Sequence, residues 1–253
     1  MRLSALLWLV SGVAQPPAAA TAPAPVPAAA AAAPTEPSTF KVSWSKDLKV
    51  SSLAAIDGAL AAPLDDPFDV ILPDGSVRKL KTCNDLLAVS KSKFDLPPDH
   101  QSAVDWDTVT TASVRCQTLD VLKAAKPAST SYLGWFHFTQ AGVAKLPPTL
   151  AMSMAENDEK TIARAAKNCK PWGKYDRRLK LSVDGADDGA LTADGWAGRL
   201  TLYARGELDG DGVEDLMFYR YAKLYEGEAN SEAVFIVTQT SAKACPKVIR
   251  TIP

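Results

Sequence analysis

The hydrophobic and polar positions divide the chain into a part with helical spacing and a part with strand-like alternation. Up to residue 175, apolar residues recur at spacings of three and four in the longest segments, which is typical of helices that bury one face. From residue 176, apolar and polar residues alternate through several short segments, which is typical of strands. The pattern therefore predicts a helix-rich region over 40–175 and a β region over 176–253.

Local signals place the elements of the first region. Thr82 is a good N-cap for a helix that extends to about Ser90. The longest helix is predicted between Pro97-Pro98 and Lys126-Pro127, and a last helix over 156–169. The apolar face of the longest helix comprises Val109, Ala112, Cys116, Leu119 and Leu122. Shorter elements are also expected, namely a strand near 40–44, a small helix up to 61 and a hairpin formed by 68–72 and 77–80.

The second region predicts an antiparallel β-meander. Alternation is clear over 200–205, 216–224 and 247–252, and 233–238 is a continuous apolar run that suits a central strand. Short connections join these segments, and short connections favour antiparallel pairing. Because the helices precede the strands, the expected fold class is α+β, with a helix-rich N-terminal half followed by the meander.

The first 39 residues carry the signals of export. Residues 1–14 combine Arg2, an apolar run and the small residues Gly12 and Ala14, which together predict a secretory signal peptide. The apolar run is too short to span a membrane. Residues 15–39 contain 18 alanines and prolines among 25 residues, which predicts a tether without a packed core. The expected location is therefore periplasmic or extracellular.

Four cysteines fit an oxidising compartment. They lie at Cys83, Cys116, Cys169 and Cys245, and none forms a C-x-x-C pair. Two disulfides with three possible connectivities follow from an even count in an exported chain. We favour Cys83–Cys116 and Cys169–Cys245, because each pair then stays within one part of the chain.

The overall charge argues against a nucleic-acid partner. The formal net charge is -1, and nucleic-acid-binding domains usually carry a strong basic excess. One segment, 160–180, differs: it contains eight lysines and arginines and a single acidic residue, Asp176. Such a segment either binds an anionic component of the cell envelope or is a basic surface that complements the acidic region after it.

The most informative motif is an acidic loop over 207–215. Acidic side chains occupy relative positions 1, 3, 5 and 9, and Gly212 at position 6 permits a sharp turn. Short carboxylates spaced by two can converge on one calcium ion, with a backbone carbonyl at position 7. The predicted calcium ligands are Glu207, Asp209, Asp211, Asp215 and the carbonyl of Val213. The alternatives are a polar turn that uses Asp and Gly for geometry alone and a catalytic carboxylate site.

This loop resembles the D-x-D-x-D-G-x-x-D calcium loops of exported bacterial proteins, such as FG-GAP-type repeats and dockerin-like modules. The resemblance covers about ten residues, and the chain departs from the pattern in two places. Glu207 replaces the first aspartate, and Phe218 stands where an EF-hand has its bidentate glutamate. The flanking segments have strand patterns, so the resemblance implies a calcium loop on a β-hairpin and not an EF-hand or a repeat propeller.

The sequence contains no recognised catalytic motif, and no catalytic residue is predicted. Its two histidines, His100 and His137, belong to no H-E-x-x-H motif, and nucleotide-binding glycine loops are absent from the sequence. The expected function is therefore that of an exported, non-enzymatic binding or structural protein, with calcium as the expected stabilising ion. The alternative is a secreted hydrolase of the cell envelope or an enzyme inhibitor, since a pair of hydrolytic carboxylates leaves no sequence motif.

Overall fold

The computed structural model describes residues 40–153 and 155–253. The predicted signal peptide, 1–14, and the predicted tether, 15–39, lie outside these residues. The described chain contains strands β1–β9 and helices α1–α6. The strands are β1 (Ser43–Trp44), β2 (Pro63–Ile71), β3 (Val77–Thr82), β4 (Lys180–Val183), β5 (Asp188–Thr192), β6 (Trp196–Gly206), β7 (Asp215–Leu224), β8 (Asn230–Thr238) and β9 (Lys247–Ile252). The helices are α1 (Ile56–Ala61), α2 (Cys83–Val89), α3 (Ala103–Lys123), α4 (Gln140–Val143), α5 (Glu156–Lys167) and α6 (Trp172–Tyr175).

Seven strands form one antiparallel sheet. Six of them follow the chain in the order β4-β5-β6-β7-β8-β9, and β1 pairs with the end of β6 through Ser43–Arg205 and Trp44–Ala204. The hairpin of β2 and β3 is separate from this sheet. The longest pairing joins β6 to β7, from Trp196–Leu224 to Gly206–Asp215, so the connection between these strands closes a long hairpin.

The sheet is buried on both faces. Along β7, Met217 contributes to a core formed with α1, α2, α3 and the β2–β3 hairpin, whereas Leu216 and Phe218 contribute to a second core. The second core is completed by residues from 133–179, among them Phe136, Leu150 and Trp172. Successive side chains of a strand point to opposite faces. A strand that is apolar at consecutive positions therefore needs cover on both sides.

The predicted helix-rich N-terminal half, and with it the predicted α+β arrangement, is wrong. Residues 40–175 contain three strands, and one of these, β1, belongs to the C-terminal sheet. Among the six described helices, only α3 and α5 have more than seven residues. The physical reason lies in the sheet: its two apolar faces require two covering layers, and residues 40–175 supply both with helices, a hairpin and irregular chain.

Capping groups position the helices that cover the first face. The Thr82 hydroxyl accepts from the Asp85 amide at 3.1 Å, and the Asp85 carboxylate accepts from the Thr82 amide at 3.0 Å. This reciprocal pair confirms Thr82 as the N-cap of α2 and satisfies amides that the helix leaves unpaired. Ser102 and Asp105 form the same arrangement at the start of α3.

Two disulfides join neighbouring elements. Cys83–Cys116 links α2 to α3, and Cys169–Cys245 links the chain after α5 to the segment before β9, with Cα–Cα distances of 5.1 and 5.6 Å. These are the pairings that the sequence favoured. Closing loops of this length reduces the entropy of the unfolded chain, which stabilises the fold by about 3.5–4.5 kcal/mol for each bond.

Candidate metal centre

The connection between β6 and β7 is docked against another part of the chain. The backbone of Glu207 pairs with that of Lys126, the two N–H···O distances being 2.9 and 3.0 Å. At the far end of the loop, the Gly212 carbonyl accepts from the Ser129 amide at 3.0 Å and from the Ser129 hydroxyl at 2.9 Å. The acidic loop, residues 207–215, is therefore held by segment 126–130 and does not project freely.

Two glycines give the loop its shape. Gly210 and Gly212 have φ values of +96° and +83°, in the region that residues with a Cβ rarely adopt. These turns bring the amides of the loop round to face the side chain of Glu207. The prediction that Gly212 permits a sharp turn is thus confirmed.

Glu207 is the centre of this amide arrangement. Its side chain is buried, and its carboxylate accepts from the Asp209 amide at 2.9 Å and from the amides of Gly210 and Gly212. Burial acts to raise the pKa of Glu207, but the backbone amides outweigh it and hold the pKa below its ordinary value. Glu207 is therefore a fixed negative charge at the base of the loop.

Asp215 is buried more deeply than Glu207. It is 0% exposed, its Oδ2 accepts from the Leu208 amide at 2.9 Å, and its Oδ1 has no hydrogen-bond partner. Thr238 lies opposite Asp215 in the pairing of β7 with β8, and its hydroxyl also lacks a partner within hydrogen-bond geometry. Burial raises the pKa of Asp215 to about 7, although the Leu208 amide and the nearby Thr238 hydroxyl act to lower it.

Asp209 is the third member of a group of three carboxylates. Carboxylate oxygens of Glu207, Asp209 and Asp215 all lie within 4.8 Å of one another. Burial raises the pKa of Asp209, and the negative charges of Asp211 and Glu207 raise it further against the opposing effect of the Asp211 amide. Three carboxylates this close repel one another in a partly buried site, and a cation between them removes the repulsion. The group could therefore hold a metal ion.

The structure does not bring every predicted ligand into this group. Asp211 is exposed, lies outside the group of three and accepts from the Val213 amide at 2.7 Å. This contact is an Asx-type turn, in which a short acidic side chain shapes its own backbone. The carbonyl of Val213 stays a predicted ligand, and its residue lies beside Thr130.

Sequence reasoning missed Glu214. Its side chain is 6% exposed and accepts from the Ser131 hydroxyl at 2.6 Å. Together with Glu207, Asp209, Asp211 and Asp215, it makes five acidic side chains within nine residues. None of the five forms an ion pair with a described lysine, arginine or histidine. No spacing rule marks Glu214, because its burial depends on a serine from a distant part of the chain.

Within the described residues, no helix is both long enough and apolar enough to cross a membrane. The two disulfides and this finding are compatible with an exported protein. Comparisons of the chain with protein-family models, with curated proteins and with solved structures produced no match.

Proposed function

We propose that the protein is an exported binding or structural protein whose acidic loop is held in place by a calcium ion. The observation that carries the calcium site is the unpartnered Oδ1 of Asp215, which is buried beside the carboxylates of Glu207 and Asp209. A buried carboxylate oxygen without a donor is destabilising by about 1–3 kcal/mol, and more when it is charged. A bound cation would remove this penalty.

The donor set favours calcium over other common ions. The grouped ligands are carboxylate oxygens, which suit hard cations, whereas zinc prefers nitrogen and sulfur ligands. Calcium accepts six to eight oxygens in irregular geometry, and magnesium demands a near-ideal octahedron. Glu207 already accepts three amide hydrogen bonds, which leaves part of its lone-pair capacity for a cation. Carbonyls of the loop and water would supply the remaining ligands.

The role of the ion would be structural. It would neutralise the loop at the closed end of the β6–β7 hairpin, which lies beside segment 126–130. Sites of this kind in extracellular modules bind calcium with Kd values of about 10⁻⁴–10⁻³ M. At a Kd of about 10⁻⁴ M, calcium at about 5 mM would stabilise the fold by about 2 kcal/mol.

Thermal unfolding of the oxidised full chain tests this proposal. The melting temperature in millimolar calcium should exceed that in EDTA by about 4–8 °C, because about 1 kcal/mol moves the Tm of a domain of this size by about 2–4 °C. Magnesium at the same concentration should have a much smaller effect. Equal melting temperatures in calcium and EDTA would overturn the proposal.

A pair of neighbouring aspartates provides the matched variants. Asp209→Asn should remove most of the calcium shift, because Asp209 belongs to the group of three. Asp211→Asn should keep it, because Asp211, which is exposed as Asp209 is, lies outside that group. Both variants remove one negative charge from the same loop, so general attraction of calcium to the loop predicts equal losses. Equal losses would therefore contradict the assignment of Asp209 as a ligand.

The alternative of a secreted hydrolase or an enzyme inhibitor remains a prediction from the sequence, and no described contact favours it. A hydrolase needs carboxylates that exchange protons or attack the substrate. In the cleft beside α6, Asp176 accepts from the amides of Arg178 and Asp194 at 2.8 and 3.0 Å, and Asp194 pairs with Arg178. These carboxylates are engaged in shaping the cleft, so we propose the binding or structural function instead.

A further inference from the structure

The basic segment 160–180 forms part of a cleft with two adjoining lobes. The first lobe has a volume of about 790 Å³ and lies between Ala151–Met152, the turn around α6 and Trp196. The second has a volume of about 640 Å³ and extends towards Lys180 and Tyr225. Arg177, Arg178 and Asp194 line both lobes. Each lobe is within the size range of ligand sites, and together they make an elongated recess, which we name the basic cleft.

The charges in the basic cleft are not equally available. Lys174, Arg177 and Lys180 are exposed and form no ion pair with a described residue. The acidic side chains Asp176 and Asp194 are already engaged, as described above. The lining of the two lobes also includes Lys170, Asp158 and Glu226, so five basic side chains face four acidic ones. The cleft therefore has a small positive excess, and Lys174, Arg177 and Lys180 are the cations in it without a described ion-pair partner.

A further positive charge, that of Arg220, is hydrogen-bonded to a residue adjacent to the cleft lining. Arg220 on β7 is 3% exposed, donates from Nη1 to the Leu150 carbonyl at 2.8 Å and pairs with no described carboxylate. The next residue after Leu150, Ala151, lines the first lobe. A buried charge without a counter-ion raises the positive potential of a neighbouring recess, because the protein interior screens it less than water does.

Two tyrosines add stacking surfaces to the cleft. Tyr175 is half-buried in the first lobe, and Tyr225 is 58% exposed in the second. A tyrosine presents an apolar face together with a polar hydroxyl, and a sugar ring presents an apolar face together with polar edges. Arginine binds carboxylate groups in bidentate fashion. The combination suits a sugar that carries an acidic group.

We propose that the basic cleft binds an acidic polysaccharide, with Lys174, Arg177 and Lys180 contacting its carboxylate groups and Tyr175 and Tyr225 contacting its sugar rings. An extended recess of two lobes accommodates a linear chain, whereas binding to a lipid surface uses a basic or apolar face that meets the membrane. This inference names the partner class of the proposed binding protein and rests on that part of the proposed function. It does not depend on the calcium site.

The test measures binding of the full chain to polygalacturonate, a linear polymer with one carboxylate on each sugar, at low salt and in EDTA. The fully methyl-esterified polymer has the same sugars without the charges and is the matched control. We expect saturable binding to polygalacturonate, weakening as salt is added, and little binding to the ester. Absence of binding to polygalacturonate, or equal binding to the ester, would overturn the proposal. Stronger binding to phosphatidylglycerol vesicles or to single-stranded DNA would also overturn it.

Two double variants separate the cleft from the basic segment as a whole. Lys174→Gln with Arg177→Gln changes exposed side chains of the cleft and should weaken binding by about tenfold, which corresponds to two moderately strong ion pairs. Arg164→Gln with Lys167→Gln removes the same charge from exposed positions of α5 that are not part of the cleft lining. This control should weaken binding by no more than about twofold, because salt screens distant charges.

Equal losses in the two double variants would show diffuse attraction and overturn the cleft assignment. Thermal unfolding in calcium and in EDTA reports on the acidic loop independently of polymer binding. A calcium shift without polymer binding would refute the cleft alone, and polymer binding without a calcium shift would refute the metal site alone.

Discussion

Two acidic turns of the large sheet have similar composition and opposite electrostatic environments. The turn between β4 and β5 contains Asp184, Gly185 and Asp187 and is followed by Asp188 at the start of β5. The acidic loop over 207–215 contains five acids and two glycines. In the first turn, Arg199 from the neighbouring strand pairs with both Asp184 and Asp188. In the acidic loop, no described cationic side chain pairs with any of the five acids.

The two turns also differ in burial. Asp184 is exposed and Asp188 is half-buried, whereas Glu207, Glu214 and Asp215 are all buried. A buried charge needs a partner, and an exposed charge is stabilised by water. The comparison shows that the spacing of acidic residues alone does not distinguish a metal site from a solvated turn. Burial without a counter-ion makes the distinction, and it predicts that only the acidic loop responds to calcium.

Asp215→Asn should have the largest effect on the free energy of unfolding and on its response to calcium. The variant removes the buried charge, so it should abolish the calcium shift of about 2 kcal/mol. In EDTA at pH 8 it should be more stable than the parent protein, because the new amide can donate to the unpartnered Thr238 hydroxyl. Urea unfolding with and without calcium measures both effects.

Asp188→Asn is the matched control in the β4–β5 turn. It should destabilise the protein equally in calcium and in EDTA, since Asp188 pairs with Arg199 and accepts from the Thr201 hydroxyl at 2.8 Å. A calcium shift that survives in Asp215→Asn, or that disappears in Asp188→Asn, would reverse the conclusion drawn from the comparison.

The second effect is a dependence of stability on pH in the absence of calcium. The pKa of Asp215 is raised to about 7 in the folded protein, above its unfolded value of about 3.9. Between these values the folded state holds a proton that the unfolded state has released. The contribution of Asp215 to the free energy of unfolding in EDTA should therefore fall as pH rises from about 4 to about 7, and then level off.

Urea midpoints at several pH values check this sign, with Asp215→Asn as the reference that lacks the titrating group. The difference between parent and variant should change steadily across the interval. A constant difference would show that Asp215 does not hold a proton in the folded protein.

The smallest effect is expected for Arg199→Gln. Its guanidinium pairs with Asp184 and Asp188 at a largely exposed position, and such pairs contribute about 0.2–1 kcal/mol each. The loss of unfolding free energy in this variant should be smaller at high salt, because salt screens exposed ion pairs, and it should be the same with and without calcium. A loss of calcium response in this variant would mean that the two turns are coupled, contrary to the comparison.

Much of the local structure follows from the sequence. The cap at Thr82, the strands of the C-terminal region and the two cysteine pairings are all present in the structure. These features depend on neighbouring residues or on periodicity, which a sequence displays directly. The glycines of the acidic loop belong to the same class, because a tight turn needs positive φ at defined positions.

The layering of the fold could not be predicted in the same way. Periodicity showed strands in the C-terminal region, but the cover that β7 and β8 need on both faces comes from distant segments of the chain. The strand near 40–44 and the hairpin over 68–80 were predicted, but their share of the region 40–175 was underestimated. In the structure, β1 from that region extends the sheet beside β6.

By itself, the sequence determined the position of the acidic loop, the turn at Gly212 and four acidic side chains as candidate ligands. The tertiary structure alone decided that Oδ1 of Asp215 is buried without a hydrogen-bond partner, that Asp211 lies outside the group of three and that Glu214 is held by Ser131. It also placed Arg199 beside one acidic turn and no described cation beside the other. The reason is physical: the spacing of ligands is a local property of the chain, whereas desolvation and the supply of counter-charges depend on residues that only folding brings together.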